Sequence, residues 1–383
     1  MRIVHTSLRY PPSSGGAEQY AHELVERTRS VEQGRDVRVL TSTLRTHGPI
    51  SELDPKLLLN NPPYVQRLHH LKTPFVSYPR LQALPYYISH HQPDIIESYG
   101  FWYQPADTTA RYARKYKIPF IFHPIYYENE IRQKLMWQVY KNTIGKKTFA
   151  AADVVAVISP FEQSLIQRAG FPVKRFELLP PGVDYKHYQV ERPSLFNKRG
   201  ITGSVLLSVS RISAGKGLES VMKVLPDIIK AYPDTHWVIV GEDFGAKSSL
   251  KKQAEAAGIS KHVHWLGKLS ENDKIAAFQH AHIFVHPSHY EAFGIVLAEA
   301  SACGLPIVAR NIAAIPYVTP HQKTGLLFNN DEELKQNLLT LLSSPSVRES
   351  LGSAGQKYIL NNFTWDKTIN RLLTIYGEFN RQK

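Results

Sequence analysis

The sequence predicts an α/β protein with two doubly wound domains, each built on a parallel sheet with connecting helices. Short apolar runs alternate with longer amphipathic segments along the chain, as parallel strands with helical crossovers require. The chain has 383 residues, which is more than one hydrophobic core usually holds. A segment at 180–203 lacks periodicity and is rich in Pro, Gly and charged residues, which indicates a domain boundary.

The first domain is expected at 1–182. Its predicted strands lie at 1–7, 36–42, 94–100, 119–125, 152–159 and 176–181, and its predicted helices at 16–33, 105–117, 128–147 and 160–169. Because the first strand begins at residue 1, a signal peptide is not expected and the predicted location is cytoplasmic.

The second domain is expected at 183–363. Its predicted strands lie at 205–210, 236–242, 263–267, 281–288, 305–310 and 324–328, and its helices include 217–231, 271–280, 294–303, 331–343 and 346–361. A last amphipathic helix is expected at 364–383. Ligands of open parallel sheets bind at the carboxyl ends of the strands, so a cleft between two such sheets is the expected site.

The composition is that of a globular protein, with 43% hydrophobic and 21% charged residues. No run approaches the 18 or more apolar residues of a membrane span. The single cysteine, Cys303, excludes an intrachain disulfide and is interpreted as a buried structural thiol. Although the chain has 17 histidines, their spacing matches no metal-ligand pattern, and no metal site is expected.

The charge is strongly basic, with 46 Lys and Arg against 33 Asp and Glu. The sequence shows no zinc spacing, RNA-binding aromatic motif or basic helix typical of nucleic-acid binding, so nucleic acid is not an expected partner. An anionic membrane surface or a phosphorylated acceptor would suit this charge, and so would a generally basic protein without such a partner. Basic residues alternate with aromatic ones at 111–117, and Lys146 and Lys147 form a second cluster. If a membrane is bound, Tyr112, Tyr116 and Trp137 on these segments are expected at the interface.

Two glutamates eight positions apart, Glu291 and Glu299, are the most informative motif. The first lies in a loop after a predicted strand, and the second lies inside the following helix, about 12 Å further along if the segment were fully helical. They are therefore too far apart to share one proton or one metal. A helix N-terminus between them would bind an anion, and each carboxylate would accept from paired sugar hydroxyls. This arrangement suits a nucleotide sugar, whereas an isolated pair with this spacing would usually be solvated helix residues.

Two features of the first domain are weaker signals. Gly15 and Gly16 follow the first strand and open a helix, where exposed amides suit a phosphate or an acceptor, although an ordinary turn would look the same. The pattern is not the G-x-G-x-x-G of dinucleotide-binding proteins. His123 ends a predicted strand, where it could donate to a sugar hydroxyl, orient reacting groups or serve the structure alone.

The second domain offers a cationic loop. Arg211 and Lys216 lie between a strand and a helix, and two fixed cations there would neutralise a diphosphate. Gly241 and Gly267 close two further strands at the same edge. Glu271 follows, where it could accept from a guanine edge with Lys274 nearby, while Ser270 fits the N-cap of the same helix equally well.

These motifs together resemble the GT-B glycosyltransferases of family 4, and the resemblance covers nearly the whole chain. It implies a retaining, metal-independent hexosyltransferase that uses a UDP- or GDP-linked sugar as co-substrate and needs no cofactor. It also implies that the last helix crosses back to the first domain. One departure is the motif PPGVD at 180–184, where asparagine usually precedes the glycine.

The resemblance further implies roles for single residues. His123, Arg211, Lys216 and Glu291 would serve the reaction, with Glu291 contacting the donor sugar. The residues implied to bind the donor are Gly15, Gly16, Gly241, Glu271, Phe293, Gly294, Ile295, Val296 and Glu299. Among these, Glu299 would hold the ribose diol, and the segment with Glu271 would face the nucleobase. The reaction would follow front-side attack or a short-lived covalent route, and the sequence leaves both open.

Two other functions share part of this sequence pattern. A nucleotide-sugar 2-epimerase shares the architecture, but the Arg211–Lys216 and Glu291–Glu299 spacings point away from it. A catalytically silent glycan- or nucleotide-binding protein is disfavoured because the full residue set is present. The acceptor is open: a glycan, a lipid-linked or a small-molecule acceptor fits, and the aromatic, basic segment 60–80 is compatible with a lipid-linked or anionic one. In that case the protein would lie at the inner face of the membrane.

Overall fold

The computed structural model describes residues 1–13, 15–31, 36–44, 53, 61–71, 73, 78–128 and 134–381. The chain divides into two compact units, Met1–Pro180 with Thr368–Lys383 and Pro181–Lys367. The sequence places these boundaries at 182/183 and 363/364. Parts of three predicted helices, at 32–33, 129–133 and 382–383, lie outside the described residues, as do residues 60, 72 and 74–77 of the segment 60–80.

Unit 1 contains a seven-stranded parallel sheet. In the order of the chain, the strands are β1 (Arg2–Ser7), β2 (Asp36–Ser42), β3 (Val65–Leu68), β4 (Ile95–Tyr99), β5 (Phe120–His123), β6 (Val154–Val157) and β7 (Phe176–Leu178). Their order in the sheet is β3-β2-β1-β4-β5-β6-β7, and each of these neighbouring pairs is parallel. The strands are rich in β-branched and aromatic residues, and β4, β5 and β6 are buried throughout, as expected for a parallel sheet covered on both faces.

The helices of unit 1 connect these strands. They are Gly16–Val31, Leu84–His91, Gln104–Tyr116, Lys134–Tyr140, Lys146–Ala151 and Pro160–Arg168, with a π-helical turn at Lys141–Gly145. The last helix of the chain, Trp365–Arg381, contributes Thr368 onward to the same unit. Its Leu372, Ile375 and Tyr376 are fully buried. Its Arg371 binds Glu177 through two hydrogen bonds of 2.8 and 2.7 Å.

Unit 2 contains a six-stranded parallel sheet. Its strands are β8 (Ser204–Val209), β9 (Thr235–Val240), β10 (Val263–Gly267), β11 (Ile283–His286), β12 (Ile307–Arg310) and β13 (Gly325–Phe328). Their order in the sheet is β10-β9-β8-β11-β12-β13. The helices are Tyr185–Gln189, Leu218–Ala231, Lys247–Ala256, Glu271–His280, Ile295–Ala302, Ile315–Val318, Asp331–Ser343 and Pro345–Asn362.

The predicted fold class is confirmed, with two parallel sheets in the order that doubly wound domains show. The sequence missed β3, whose four residues Val-Gln-Arg-Leu are half polar because the strand lies at the sheet edge. It also missed the helix Leu84–His91, where Pro85 and the aromatic residues lower the helical signal, and the polar helix Lys247–Ala256.

Candidate functional site

The chain order of unit 2 reverses between two neighbouring strands, β8 and β11. From β8 the chain continues to β9 and β10 on one side, and from β11 it continues to β12 and β13 on the other. The loops that leave the carboxyl ends of β8 and β11 therefore diverge and open a crevice, which is where open parallel sheets bind ligands. These two loops carry Arg211 and Lys216, and Glu291 and Gly294, respectively.

The two loops touch each other closely. The amide of His289 donates to the carbonyl of Gly215 at 3.1 Å. Gly217 has a φ of +65°, and a Cβ there would lie 2.1 Å from the carbonyl oxygen of Pro287. A side chain at this position would therefore push the loops apart, so the glycine permits their approach. This backbone contact brings Lys216 to Glu291 across 75 residues of sequence.

Lys216 and Glu291 form an ion pair that is largely shielded from water. The ammonium contacts Oε1 of Glu291, and the side chains are 18% and 16% exposed. Nε2 of His286, at the end of β11, lies 3.2 Å from the same oxygen. Burial opposes the charge on Glu291, but His286 and Lys216 outweigh it and lower the pKa of this carboxyl to about 2. Glu291 is therefore ionised near neutral pH and can accept hydrogen bonds but cannot donate a proton.

The helix Ile295–Ala302 begins directly after Glu291. Gly294 precedes it with a φ of +86°, and no side chain caps the helix. The first amides of a helix have no partner within it, so this end attracts an anion. The side chain of Phe293 is buried against Phe363, with ring centroids 5.4 Å apart, so only its backbone remains for a ligand. Ile295 is exposed and Val296 half-buried.

Glu299 lies on the same helix and has its own lysine. Nζ of Lys274 is 3.0 Å from Oε1 of Glu299 and 2.9 Å from Oε2 of Glu271, so it bridges the two carboxylates. Burial acts against the charge on Lys274, but Glu299 and Glu271 raise its pKa above the ordinary value. The hydroxyl of Tyr188 donates to Glu271 at 3.1 Å. Each predicted glutamate is thus matched by one lysine from a different element.

The remaining donor-site residues of unit 2 are placed as follows. Gly241 follows β9 with a φ of +147°, and a Cβ there would lie 1.8 Å from the carbonyl oxygen of Ser210. Arg211 is exposed, and its guanidinium lies 5.5 Å from the ring centroid of Phe244. The side chain of Ser270 accepts from the amide of Asp273 at 3.1 Å, which confirms the N-cap interpretation. Glu271 itself is 54% exposed.

The chain order of unit 1 reverses between β1 and β4. Gly15 and Gly16 lie in the loop after β1 and open the helix Gly16–Val31. A Cβ at Gly16 would meet nothing within 4 Å, so packing within the chain does not require this glycine. The backbone there is open to a ligand.

His123, at the end of β5, is fully buried rather than open to solvent. Its Nε2 lies 2.7 Å from Oε2 of Glu97, and its Nδ1 lies 3.4 Å from the hydroxyl of Tyr20. The Tyr20 hydroxyl donates to the carbonyl of Leu179 at 2.7 Å, so its oxygen faces the histidine as an acceptor. Both ring nitrogens of His123 therefore have partners. This geometry suits an orienting or electrostatic role better than direct donation to a sugar hydroxyl.

Sequence reasoning missed the centre of this buried cluster, Glu97. The carboxylate accepts from His123, from the hydroxyl of Tyr99 at 3.3 Å and from the hydroxyl of Tyr376 on the last helix. Burial opposes its charge, but His5 and His123 hold the pKa of Glu97 below its ordinary value. A glutamate in the run Ile-Ile-Glu-Ser-Tyr resembles any strand residue. The only available signal was a charged residue inside a segment otherwise typical of a buried parallel strand.

Cys303 is only partly buried, and its Sγ lies 3.9 Å from the carbonyl of Tyr188. Burial and Glu299 raise the pKa of this thiol to about 12, which keeps it protonated. Among the residues that the structure describes, no group of three or more His, Cys, Asp or Glu is placed to hold a metal ion. In the same described ranges, no helix has the length and apolar character needed to span a bilayer.

Two family models match consecutive parts of the chain. The model described as Glycosyltransferase Family 4 matches residues 14–187, and the one described as Glycosyl transferases group 1 matches residues 191–358. The second match contains the whole crevice of unit 2 described above. Among solved structures, the Anabaena protein Alr3699/HepE in complex with UDP superposes with a TM-score of 0.81 at 18% identity, covering 99% of this chain and 100% of that one.

A sucrose-phosphate synthase from Thermosynechococcus elongatus superposes with a TM-score of 0.78 at 19% identity, with full coverage of both chains. Among curated proteins, a GDP-mannose-dependent monoacylated alpha-(1-6)-phosphatidylinositol monomannoside mannosyltransferase of Corynebacterium glutamicum is 32% identical over 60% of this chain and 63% of its own length. The matches to the first curated relatives span 47–63% of their lengths.

Proposed function

Because the chain belongs to the GT-B glycosyltransferases of the group 1 and family 4 type, we propose that it transfers a hexose from a nucleotide diphosphate sugar to an acceptor hydroxyl, with retention and without a metal ion. The observation that carries this proposal is the pairing of Lys216 with Glu291 and of Lys274 with Glu299 around the switch point of unit 2. Cations and open amides would bind the diphosphate, and carboxylates would accept from its two sugars. This crevice offers all three kinds of group.

The diphosphate would lie between Lys216 and the start of the helix Ile295–Ala302. The ammonium of Lys216 and the unpaired amides after Gly294 would share the negative charge, and the exposed Arg211 can swing onto the phosphates from the other loop. As the bond between the sugar C1 and the phosphate oxygen breaks, charge develops on that oxygen. Once Lys216 and the helix amides contact the bound diphosphate, they stabilise this charge as it develops.

The sugar ends of the donor would engage the two carboxylates. Glu291, ionised and shielded, accepts from hydroxyls of the transferred hexose, and Glu299 accepts from the ribose diol. Glu271, Lys274 and the edge near Gly241 would lie towards the nucleobase. UDP and GDP donors are both candidates.

The chemical step that we propose is front-side attack. The acceptor oxygen forms its bond to C1 on the face from which the phosphate departs, and the acceptor proton passes to the departing phosphate oxygen. Glu291 cannot act as the acid that protonates the departing oxygen, since its low pKa keeps it ionised. A covalent route would instead require a carboxylate to bond to C1 and then be displaced.

Unit 1 would supply the acceptor side. Gly15 and Gly16 leave open backbone at its switch point, and His123 and Glu97 form a buried hydrogen-bonded pair on the neighbouring strands β5 and β4. A glycan, a lipid-linked or a small-molecule acceptor can offer the attacking hydroxyl.

A surface on unit 1 supports attachment to an anionic membrane. Leu135, Val139 and Ile144 are 80%, 56% and 42% exposed. The basic candidates are Arg111, Arg114, Lys115, Lys117, Lys146 and Lys147, of which Lys146 is half-buried and the others are exposed. Ile144 lines one cavity of about 240 Å³ together with Arg111, Arg114 and Lys147, so apolar and basic groups share a surface. We call the apolar trio with these six basic residues the basic-apolar surface.

One sequence-based detail of this membrane surface is wrong. Trp137 was expected at the interface but is only 8% exposed and stacks on Trp102, with ring centroids 6.3 Å apart. Tyr112 is half-buried and Tyr116 is 52% exposed, so Tyr116 remains available.

Acceptor-free incubation with a panel of UDP- and GDP-sugars tests the proposed activity. We expect slow release of free sugar and nucleoside diphosphate from one donor, unchanged by EDTA and lost in Lys216→Gln. Accumulation of an epimerised donor would instead support the 2-epimerase. Binding of a donor with neither product would support a silent nucleotide-binding protein.

A further inference from the structure

Arg9 lies in the loop after β1 and stands out from the other partly buried arginines of unit 1. Arg67 donates to Asn61 and to the carbonyls of Ser42 and Pro11, and Arg175 donates to Glu177 at 2.6 Å. The one hydrogen bond of Arg9 given by the structure is long, from Nη1 to the hydroxyl of Tyr103 at 3.4 Å. The guanidinium carbon lies 5.8 Å from the Tyr103 ring centroid.

The hydrogen-bonding capacity of Arg9 is largely unused. Its Nε is buried from solvent and has no hydrogen-bond partner among the described residues. Within the same described ranges, no carboxylate lies within 4.0 Å of its guanidinium. A buried donor without a partner is destabilising, so such an arginine indicates a ligand.

The position of Arg9 favours a ligand. Arg9 follows β1, Tyr103 follows β4, and the chain order of unit 1 reverses between these two strands. This is the crevice position at which parallel sheets bind ligands. Gly15 and Gly16, at the start of the helix Gly16–Val31, belong to the same loop as Arg9, and the Cβ position of Gly16 is empty.

The loop that carries Arg9 is held in place on both sides. The hydroxyl of Ser42 donates to the carbonyl of Leu8, and Arg67 donates to the carbonyl of Pro11. The hydroxyl of Tyr10 lies 3.1 Å from Nδ1 of His22 on the following helix. Residues 8, 10 and 11 are therefore fixed by their neighbours, whereas Arg9 itself is left with free donors. Such preorganisation suits ligand binding, because little ordering remains to be done when the ligand arrives.

We infer that Arg9 binds a phosphate group of the acceptor. A guanidinium offers two parallel N–H groups to a phosphate or carboxylate, and the phosphate carries the greater charge. A neutral glycan would leave the guanidinium charge uncompensated. A phosphate ester would pair with that charge, although Glu18, in the first turn of the following helix, opposes an anion here. The assignment of this phosphate to the acceptor rests on the proposed function. Phosphate binding at Arg9 can be tested without turnover.

The phosphate can belong to a lipid headgroup or to a soluble ester. Glycerol 3-phosphate and vesicles of phosphatidic acid in phosphatidylcholine present the same phosphomonoester with and without acyl chains. Inorganic phosphate is the minimal probe. The donor site of unit 2 also binds phosphate, so the readout must report on Arg9 itself.

The test is a titration followed by the Nε–Hε resonance of Arg9, identified by its loss in Arg9→Gln. We expect a saturable shift with inorganic phosphate and with glycerol 3-phosphate in the wild type. In Arg9→Gln, where binding is followed by the backbone amide resonances of Gly15 and Gly16 instead, we expect glycerol 3-phosphate to bind at least tenfold more weakly. Arg2→Gln, at the start of the same strand and bonded to Gln92 and Asp94, is the matched control and should behave as wild type. A resonance that stays unmoved by both probes overturns the inference.

Vesicle sedimentation distinguishes the two sources. If Arg9→Gln pellets less than Arg2→Gln with phosphatidic acid vesicles, the phosphate belongs to a lipid. If the two variants pellet equally and glycerol 3-phosphate shifts the resonance, the phosphate belongs to a soluble ester. Donor breakdown by the wild-type protein without acceptor tests the proposed function separately. If no donor is broken down, the proposed function fails while the titration still decides the phosphate site.

Discussion

At the scale of single residues, the site of unit 2 consists of two glutamates that each hold a lysine. Lys216 with Glu291 and Lys274 with Glu299 are partly shielded from water, so each pair is compensated before any ligand arrives. A diphosphate would draw the lysines towards its own charge and free the carboxylates for hydroxyls. The sequence predicted Glu291, Glu299 and Lys216 as donor-site residues, but it could not show which charges pair, because the partners lie 75 and 25 residues apart.

Glu299→Ala should weaken nucleoside diphosphate binding by about 1.5–3 kcal/mol, since the ribose diol would lose a charged acceptor. Calorimetric titration with the nucleotide selected by the donor panel measures this. Glu349→Ala, an exposed glutamate on the helix Pro345–Asn362, is the control and should bind normally. Normal affinity in Glu299→Ala would remove the ribose role.

Glu291→Gln should change the dependence of stability on pH. The pKa of Glu291 is lowered from 4.5 to about 2 in the folded protein, so its ionised form stabilises the fold above pH 4.5, and this stabilisation fades as pH falls towards 2. We expect the variant to be less stable near neutral pH by up to about 3 kcal/mol, with the difference shrinking in acid. Urea unfolding at pH 7 and pH 3 measures it. A difference that is the same at both pH values would contradict the assigned charge.

At the scale of elements, loops at strand ends carry the site, and the last helix completes unit 1. The alternation of strands and helices could be predicted from the sequence, because apolar runs and amphipathic segments differ in period. The sequence did not predict the polar edge strand β3 or the helix Leu84–His91, because local composition weakened both signals. Glu97 escaped detection since its partners His123 and Tyr376 lie on other elements.

Tyr376→Phe should loosen the last helix from unit 1. The hydroxyl contacts the buried carboxylate of Glu97, and its removal leaves that charge with one donor fewer, at about 1–3 kcal/mol. Tyr358→Phe removes a hydroxyl that donates to one backbone carbonyl at 3.0 Å and should cost less. Urea unfolding of both variants makes the comparison, and equal losses would show that the contact with Glu97 has no special weight.

At the scale of the whole molecule, the basic excess of +13 needs a reason. The sequence predicted that basic and aromatic residues of the first domain could meet an anionic membrane. It could not identify Leu135, Val139 and Ile144 as exposed, because their spacing also fits a buried helix face. Nor could it show that Trp137 is buried, since its stacking partner Trp102 lies on a different segment.

The basic-apolar surface should bind vesicles that contain anionic lipid and release them as salt rises. Each basic residue near such a surface contributes about 1 kcal/mol within a Debye length of about 8 Å. Val139→Ser should reduce sedimentation with these vesicles. Tyr86→Ser, 66% exposed on another helix of unit 1, should not. Equal, negligible pelleting with anionic and neutral vesicles would leave the charge as a solubility feature and favour a soluble acceptor.

We expect a nucleotide sugar to bind at the switch point of unit 2. A crystal structure with the nucleoside diphosphate chosen by the donor panel would show where the nucleotide binds. We predict the diphosphate within hydrogen-bond distance of Lys216 and of the amides after Gly294, with the ribose hydroxyls on Glu299. A nucleotide bound elsewhere, with the Lys216–Glu291 and Lys274–Glu299 pairs undisturbed, would contradict it.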